Sequence, residues 1–302
     1  MMHRVSIVKV NNYNDLKRGI SKALELIDYE FPDVDVVIIK PNLHNYIHPS
    51  TGDVTSPETV SAVIDLLREN NNNMRIVLAE ADATAMLAKY AFKFLGYEKI
   101  AKEKNVNLFN ISEGKSREVE VKVGRKKFLL PVSEELMNSF LINMPTLKAH
   151  PLPTISCCLK NIFGTIPKRR KIVYHPMLNE VIVGINKFVT SDLCIVDGII
   201  GFGKHPVKLG VLIVGTNPVA VDAVAARCMG YNPKRIKHLR LAEKEGLGSI
   251  KNVEVVGEIE PEEVSKKFPK INPKMCKIRE KVLFGALRIY GKLTGDYIPY
   301  FD

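Results

Sequence analysis

The chain has no tryptophan, and aromatic residues make up only 7% of its 302 residues. Cysteine is scarce too: there are five, an odd number, and no pair is spaced as CxxC. A disulfide framework, a zinc ribbon and a ferredoxin-type module all need paired or clustered cysteines, so no integral iron–sulfur cluster is expected. No apolar run reaches the roughly 18–20 residues that span a bilayer. The start, Met1-Met2-His3-Arg4-Val5-Ser6-Ile7-Val8, reads as a strand rather than a leader peptide. The expectation is a cytoplasmic protein with no membrane partner. Two phosphate-binding fingerprints are also missing. No GxxxxGK[ST] loop occurs, and the glycines after Asp197 do not form a clean GxGxxG turn.

Positive charge is abundant. Lysine and arginine number 44 against 33 acidic residues, a net charge of +11, which favours anionic partners. It gathers at Lys168-Arg169-Arg170-Lys171, at Lys234-Arg235-Lys237-His238-Arg240, and in a tail from Lys266 to Lys292. No nucleic-acid recognition motif accompanies it, so nucleic acid stays the alternative partner to a small anionic ligand.

The first 80 residues alternate strand and helix. Val5–Val10 reads as a strand and Asp15–Ile27 as a helix, with Leu16, Ile20, Ala23, Leu24 and Ile27 at helical spacing. Val34–Ile39 is an almost continuous apolar strand, as expected when both sheet faces are covered. Ser56-Pro57-Glu58 has the cap, the first-turn proline and the acid that open a helix, here to Arg68. Arg75–Glu80 is the next strand. This register predicts an α/β fold: a mostly parallel sheet flanked by helices. Val119–Val123 and Lys126–Leu130 around Gly124-Arg125 predict a β-hairpin insertion. Later strands are expected at Asp192–Val196, Val211–Val214 and Val253–Val256, with a buried helix over Pro218–Met229. The core is placed at 1–260, divisible into lobes 1–138 and 139–260 with a cleft between them. A basic helical C-terminal tail, 261–302, carries helices at Glu262–Lys267 and Lys277–Tyr290.

Polar residues follow the apolar strands where an α/β sheet presents its ligand rim. Lys40-Pro41-Asn42 ends one strand, and Glu80-Ala81-Asp82 ends another, as general base, metal ligand or helix cap. Thr51 and Gly52 precede a helix start, where backbone N–H groups take phosphate or carboxylate. After Ser139–Ile142 come Lys148, His150, Lys160, Asn161, Gly164 and His175. Lysines there hold an anion or form an adduct, and histidines shuttle a proton or bind a metal. Cys157 and Cys158, on one expected helix, would point about 100° apart and would not ligate one metal together. Asp197 and Gly198 open a glycine-containing loop, Ile199–Leu209, that lets backbone approach a ligand. Asp222 is costly to bury alone and needs a lysine or N–H partner.

Six motifs in order give a family resemblance. They are Lys40-Pro41-Asn42, Thr51-Gly52 through Glu58, Pro145–His150, Leu159-Lys160-Asn161-Ile162-Phe163-Gly164, Asp197-Gly198 and Asn217–Ala223. Together they resemble the family named domain of unknown function 362, over about residues 36–240. The resemblance implies the α/β fold. Many relatives append an iron–sulfur segment whose cysteines this chain lacks. A fainter likeness is to the nickel-pincer lactate racemases, in the order and near-spacing of His150, Lys160 and His175. It implies Lys160 as tether of a covalently held nucleotide cofactor, His175 as a metal ligand and His150 as a base. The arginine of the racemase signature is replaced by Ser56 in Asp53-Val54-Thr55-Ser56-Pro57.

The leading expectation is an enzyme with a Lys/His-lined anion cleft. His150, Lys160, Lys148 and Asp197 are its catalytic candidates. Lys40, Asn42, Thr51, Gly52, Asn161, Gly164 and Gly198 are its binding candidates, and His175 its metal candidate.

Overall fold

The computed structural model describes residues 2–272. The strands are β1 (His3–Lys9), β2 (Val36–Pro41), β3 (Arg75–Glu80), β4 (Asn107–Asn110), β5 (Ser116–Val123), β6 (Lys126–Ser133), β7 (Phe140–Met144), β8 (Thr146–His150), β9 (Thr154–Ser156), β10 (Leu193–Phe202), β11 (Pro206–Gly215) and β12 (Val253–Gly257). One ten-stranded sheet runs β12-β1-β11-β10-β7-β2-β3-β4, with β8 paired to β10 and β9 to β8. From β4 to β10 neighbours are parallel, so their carboxyl ends share one edge. β5 and β6 form a separate antiparallel hairpin.

Alternation along the strands explains the two-faced core. Val37 and Ile39 enter one apolar cluster and Ile38 the other, because successive side chains leave a strand on opposite faces. Helices Leu16–Leu26 and Pro57–Asn70 cover one face. Leu178–Ile185, Pro218–Cys228 and Lys237–Lys244 cover the other. The sheet and its flanking helices match the fold class read from the pattern, and Ser56 caps Pro57–Asn70 as its type predicts, accepting from the Glu58 N–H at 3.2 Å.

β1 is separated from β2 by three strands and lies between β11, antiparallel, and β12, parallel. Two local expectations are corrected. The expected loop Ile199–Leu209 mostly continues β10 and β11, which zip past it through Gly201–Val207 and Phe202–Pro206 pairs. Cys157 is not helical. It is the non-helical cap residue, at φ −140°, ψ −141°, of the helix Cys158–Phe163, and the two sulfurs lie 3.9 Å apart. The helix foreseen at Glu262–Lys267 is present as Pro261–Lys267, whereas the one at Lys277–Tyr290 lies outside the described residues. Among the described residues no helix is long and apolar enough to cross a membrane.

Candidate functional site

Parallel strands bring their polar ends together at the sheet's carboxyl edge. At the end of β2, the buried Lys40 ammonium donates to Glu80 Oε2 at 2.8 Å, to Asn161 Oδ1 at 3.1 Å and to the Pro41 carbonyl at 2.8 Å. Asn161 in turn donates to Asn143 Oδ1 at 2.8 Å, and Asn42 donates to Asn161 Oδ1 at 3.1 Å. One amide thus stitches the ends of β2 and β7 to the helix Cys158–Phe163. Gly164 completes the fit. A Cβ there would lie 3.1 Å from Lys40 Nζ and 2.9 Å from the Asn161 carbonyl.

Pro145 separates β7 from β8, and the restarted strand places Lys148 and His150 two residues apart on one face. Lys148 Nζ donates to Asp53 Oδ1 at 2.9 Å and to the Asp53 carbonyl at 2.8 Å, with Asn42 Oδ1 at 3.3 Å and His44 Nδ1 at 3.4 Å. Burial raises the Asp53 carboxyl's pKa, but His44 and Lys148 together hold it well below the usual range. Burial lowers the pKa of both Lys40 and Lys148, while their carboxylate partners oppose that shift.

Two further lysines are different. Lys160 projects from the short helix with its Nζ 4.5 Å over the Phe163 ring. Burial first, then Lys148, Lys40 and Lys171, bring its pKa down to about 7. Lys171 donates to the Asp82 carbonyl, and burial brings it to about 8. Among the described residues the lysine–carboxylate pairs of this group are Lys40–Glu80 and Lys148–Asp53; neither Lys160 nor Lys171 has a carboxylate within ion-pair distance. The site therefore carries more positive charge than its own acids neutralise.

The histidines feel the same field. Burial, then Lys160 and Lys148, hold His150 well below its ordinary pKa, with His175 and His44 adding to the effect. His175 is lowered to about 4 by burial and Lys160. His150 Nδ1 accepts from the Leu152 N–H at 3.1 Å, so its neutral ring carries its proton on Nε2. Lys148, His150, Lys160 and His175 thus share one neighbourhood.

The remaining candidates are engaged with the local backbone. Asp197 accepts from the Ser56 N–H at 3.1 Å, Thr59 Oγ1 at 2.8 Å and the Ile199 N–H at 3.2 Å, at the start of the helix Pro57–Asn70. Burial raises its pKa and those three bonds lower it. Thr51 Oγ1 donates to the His48 carbonyl, closing a turn. Gly52 is left-handed, φ +70°, and a Cβ there would lie 2.2 Å from the Ile200 carbonyl oxygen. Gly198 lies within β10 against Val211. Asp82 Oδ1 accepts from the Ala88 N–H at 2.8 Å, the capping alternative foreseen for it.

Asp222 has the N–H partners its burial demands. From the helix Pro218–Cys228 it accepts from the Cys158 N–H at 2.6 Å and the Leu159 N–H at 3.1 Å, fixing the start of the helix that carries Lys160. Burial raises its pKa to about 6. The cap position of Cys157 gathers Cys157, Cys158 and Asp222 so that their donor atoms lie within 4.8 Å of one another. Among the described residues no such group of three includes His175.

Sequence reasoning missed His44 and Asp53 as partners of Lys148, and left Lys171 out of the site. The signal for His44 was its place two residues beyond the polar strand end at Asn42. Asp53 gave none, since its partner lies 95 residues away. His238, read as part of a basic surface group, is fully buried instead.

The family profile described as Domain of unknown function (DUF362) matches residues 37–227, from β2 through almost all of the helix Pro218–Cys228. The chain belongs to this family. The match takes in Lys40, the lysine cleft and Asp222. Within the DUF362 chain, 227 residues are 26% identical to the "Thylakoid-associated protein sll1697" of Synechocystis sp., covering 70% of this chain and 68% of that protein. Among solved structures, the lactate racemase apoprotein of Thermoanaerobacterium thermosaccharolyticum aligns with a TM-score of 0.44 at 12% identity. That alignment covers 79% of the DUF362 chain and 56% of the racemase chain.

Proposed function

We propose that the cleft binds a small anion, a carboxylate- or phosphate-bearing substrate or cofactor, and that the protein is an enzyme acting on it. One observation carries the reading: among the described residues Lys160 and Lys171 have no carboxylate within ion-pair distance, while Lys40 and Lys148 each have one. Uncompensated buried charge is costly, and a ligand of opposite sign offsets that cost. Lys40, Asn42 and Asn161 form the rigid floor. Lys160 and Lys171 face the negative group. His150, a neutral donor through Nε2, and His175 are placed to hold or move a proton.

The test is thermal unfolding with inorganic phosphate, pyrophosphate and a dicarboxylate such as malonate. A ligand that binds only the folded chain raises Tm. The rise should vanish in a Lys160→Met, Lys171→Met double variant. If none of the anions stabilises the wild-type chain, the reading fails.

A second reading takes Lys160 as the tether of a covalently held nucleotide cofactor, with His175 toward a metal and His150 as base. What favours it is that Lys160 acts electrostatically on both His150 and His175 and has its own pKa near 7, because an amine must shed its proton to form a covalent link. Such a group would supply racemase-type chemistry, and the chain's part would be to hold and orient it. Intact mass and metal content of protein purified from its own host separate the readings, since a tethered cofactor leaves an adduct on Lys160.

A further inference from the structure

Exposed aromatic residues gather where the loop after β2 meets the helix Ala88–Phe94. Tyr46 and Ile47 come from the loop that also carries His44 and Asp53, and are 39% and 48% exposed. Tyr90 and Phe94, at 42% and 62%, stand one turn apart on the helix Ala88–Phe94. The three rings touch. Tyr46 meets Phe94 edge-on at 5.8 Å, and Tyr90 stacks on Phe94 at 5.9 Å. The Tyr46 hydroxyl accepts from the Leu87 N–H at 2.7 Å, which fastens the loop to the helix. Exposed rings packed on one another in this way mark a candidate interaction surface.

The patch has a positive border. Lys89 and Lys93 lie beside Tyr90 and Phe94 on the same exposed helix face, and Lys89 Nζ sits 4.9 Å over the Tyr90 ring. Thr84 Oγ1 contacts the Arg169 carbonyl at 3.5 Å, which ties the exposed run Lys168-Arg169-Arg170 to the segment that leads into the helix Ala88–Phe94. Aromatic and aliphatic side chains flanked by lysine and arginine match the interface of an anionic bilayer. There rings settle at headgroup depth while cations meet lipid phosphates.

We propose that Tyr46, Ile47, Tyr90 and Phe94, with Lys89, Lys93 and Lys168–Arg170, dock the protein on an anionic lipid surface. Charge complementarity selects this occupant. Ile47 adds aliphatic surface that a lipid accepts and a nucleobase cannot stack on, and the rings already pack on one another rather than standing apart as a track for bases. A chain whose described residues include no spanning helix can bind a surface in this way. Docking would bring the loop that carries His44 and Asp53 to the headgroups.

The experiment is co-sedimentation of the full chain with vesicles of phosphatidylcholine, with and without phosphatidylglycerol, beside fluorescence anisotropy with a single-stranded RNA. Binding is expected only to the vesicles containing phosphatidylglycerol. It should weaken by about tenfold or more in Ile47→Ser, Phe94→Ser, through lost apolar contact, and again in Lys89→Glu, Lys93→Glu. These side chains are exposed, so unchanged thermal unfolding of the variants will show intact folding. Absence of binding to the anionic vesicles would overturn the proposal. So would binding that the patch variants leave unchanged, or RNA binding lost in them while vesicle binding is not.

Discussion

Lys148 Nζ lies 2.9 Å from Asp53 Oδ1, and this pair fastens the loop between β2 and the helix Pro57–Asn70 onto β8. Both side chains are largely out of water. Removing one partner of such a pair leaves a buried charge, which costs about 3–5 kcal/mol. Asp53→Asn is expected to lower unfolding stability by about 3 kcal/mol in urea titration. Adding Lys148→Met should restore most of the loss, because no charge then remains unpaired. Asp53 has its pKa depressed in the folded chain, so its contribution is complete above an unfolded carboxyl pKa of about 3.9 and is lost only in stronger acid. The gap between wild type and variant should hold steady through neutral pH.

Lys160 has the opposite signature. Its folded pKa of about 7 lies below the unfolded value near 10.4, so the unfolded chain binds more protons between the two. Stability therefore rises with pH through that window, and the cost of protonated Lys160 is felt in full below it. Lys171, at about 8, acts with the same sign. Lys160→Met should raise Tm at pH 6 and make less difference at pH 9, as scanning calorimetry would show. Anion affinity should run the other way. It falls above pH 7, by up to about tenfold per pH unit for a single titrating lysine.

Asp222→Ala should loosen the helix Cys158–Phe163 at its start. Two charge-assisted bonds, to Cys158 and Leu159, are lost at once. Each such bond is worth roughly 1.5–3 kcal/mol. Denaturant unfolding should report the destabilisation. Because Lys160 rides on this helix, anion affinity should fall in the variant even under conditions where it stays folded.

Gly52→Ala tests the tight approach of the loop to β10. The left-handed backbone costs an L-residue roughly 1–2 kcal/mol. The added methyl would also press on the backbone oxygen of Ile200, which has no rotamer with which to yield. A loss of at least about 2 kcal/mol is expected by urea denaturation.

Much of this was legible in the chain's own pattern, for a physical reason. Strands such as Val36–Pro41 carry unbroken apolar runs that stop abruptly at polar residues, so both the sheet and its ligand edge leave local traces. Lys40, Asn42, Lys148, His150 and Lys160 were singled out by that route. Their partners were not, because a counterion is chosen by topology. Asp53 meets Lys148 across 95 residues, and Asp222 meets Cys158 across 64. The place of β1 was hidden for the same reason. Helical spacing in Leu16–Leu26 shows that a crossover follows, but not on which side of the sheet the next strand settles. Cys157 was misread because a single residue's non-helical backbone angles are invisible in periodicity.

The Lys40, Asn42, Asn143 and Asn161 network makes the floor of the cleft a set of dipoles already aligned by the folded chain. Water around a free ion must reorient whenever charge moves, whereas these amides are held by partners on several strands and have nowhere to turn. Any charge brought above them would meet a medium with little reorganisation left to undergo, a property that is set at folding rather than at encounter.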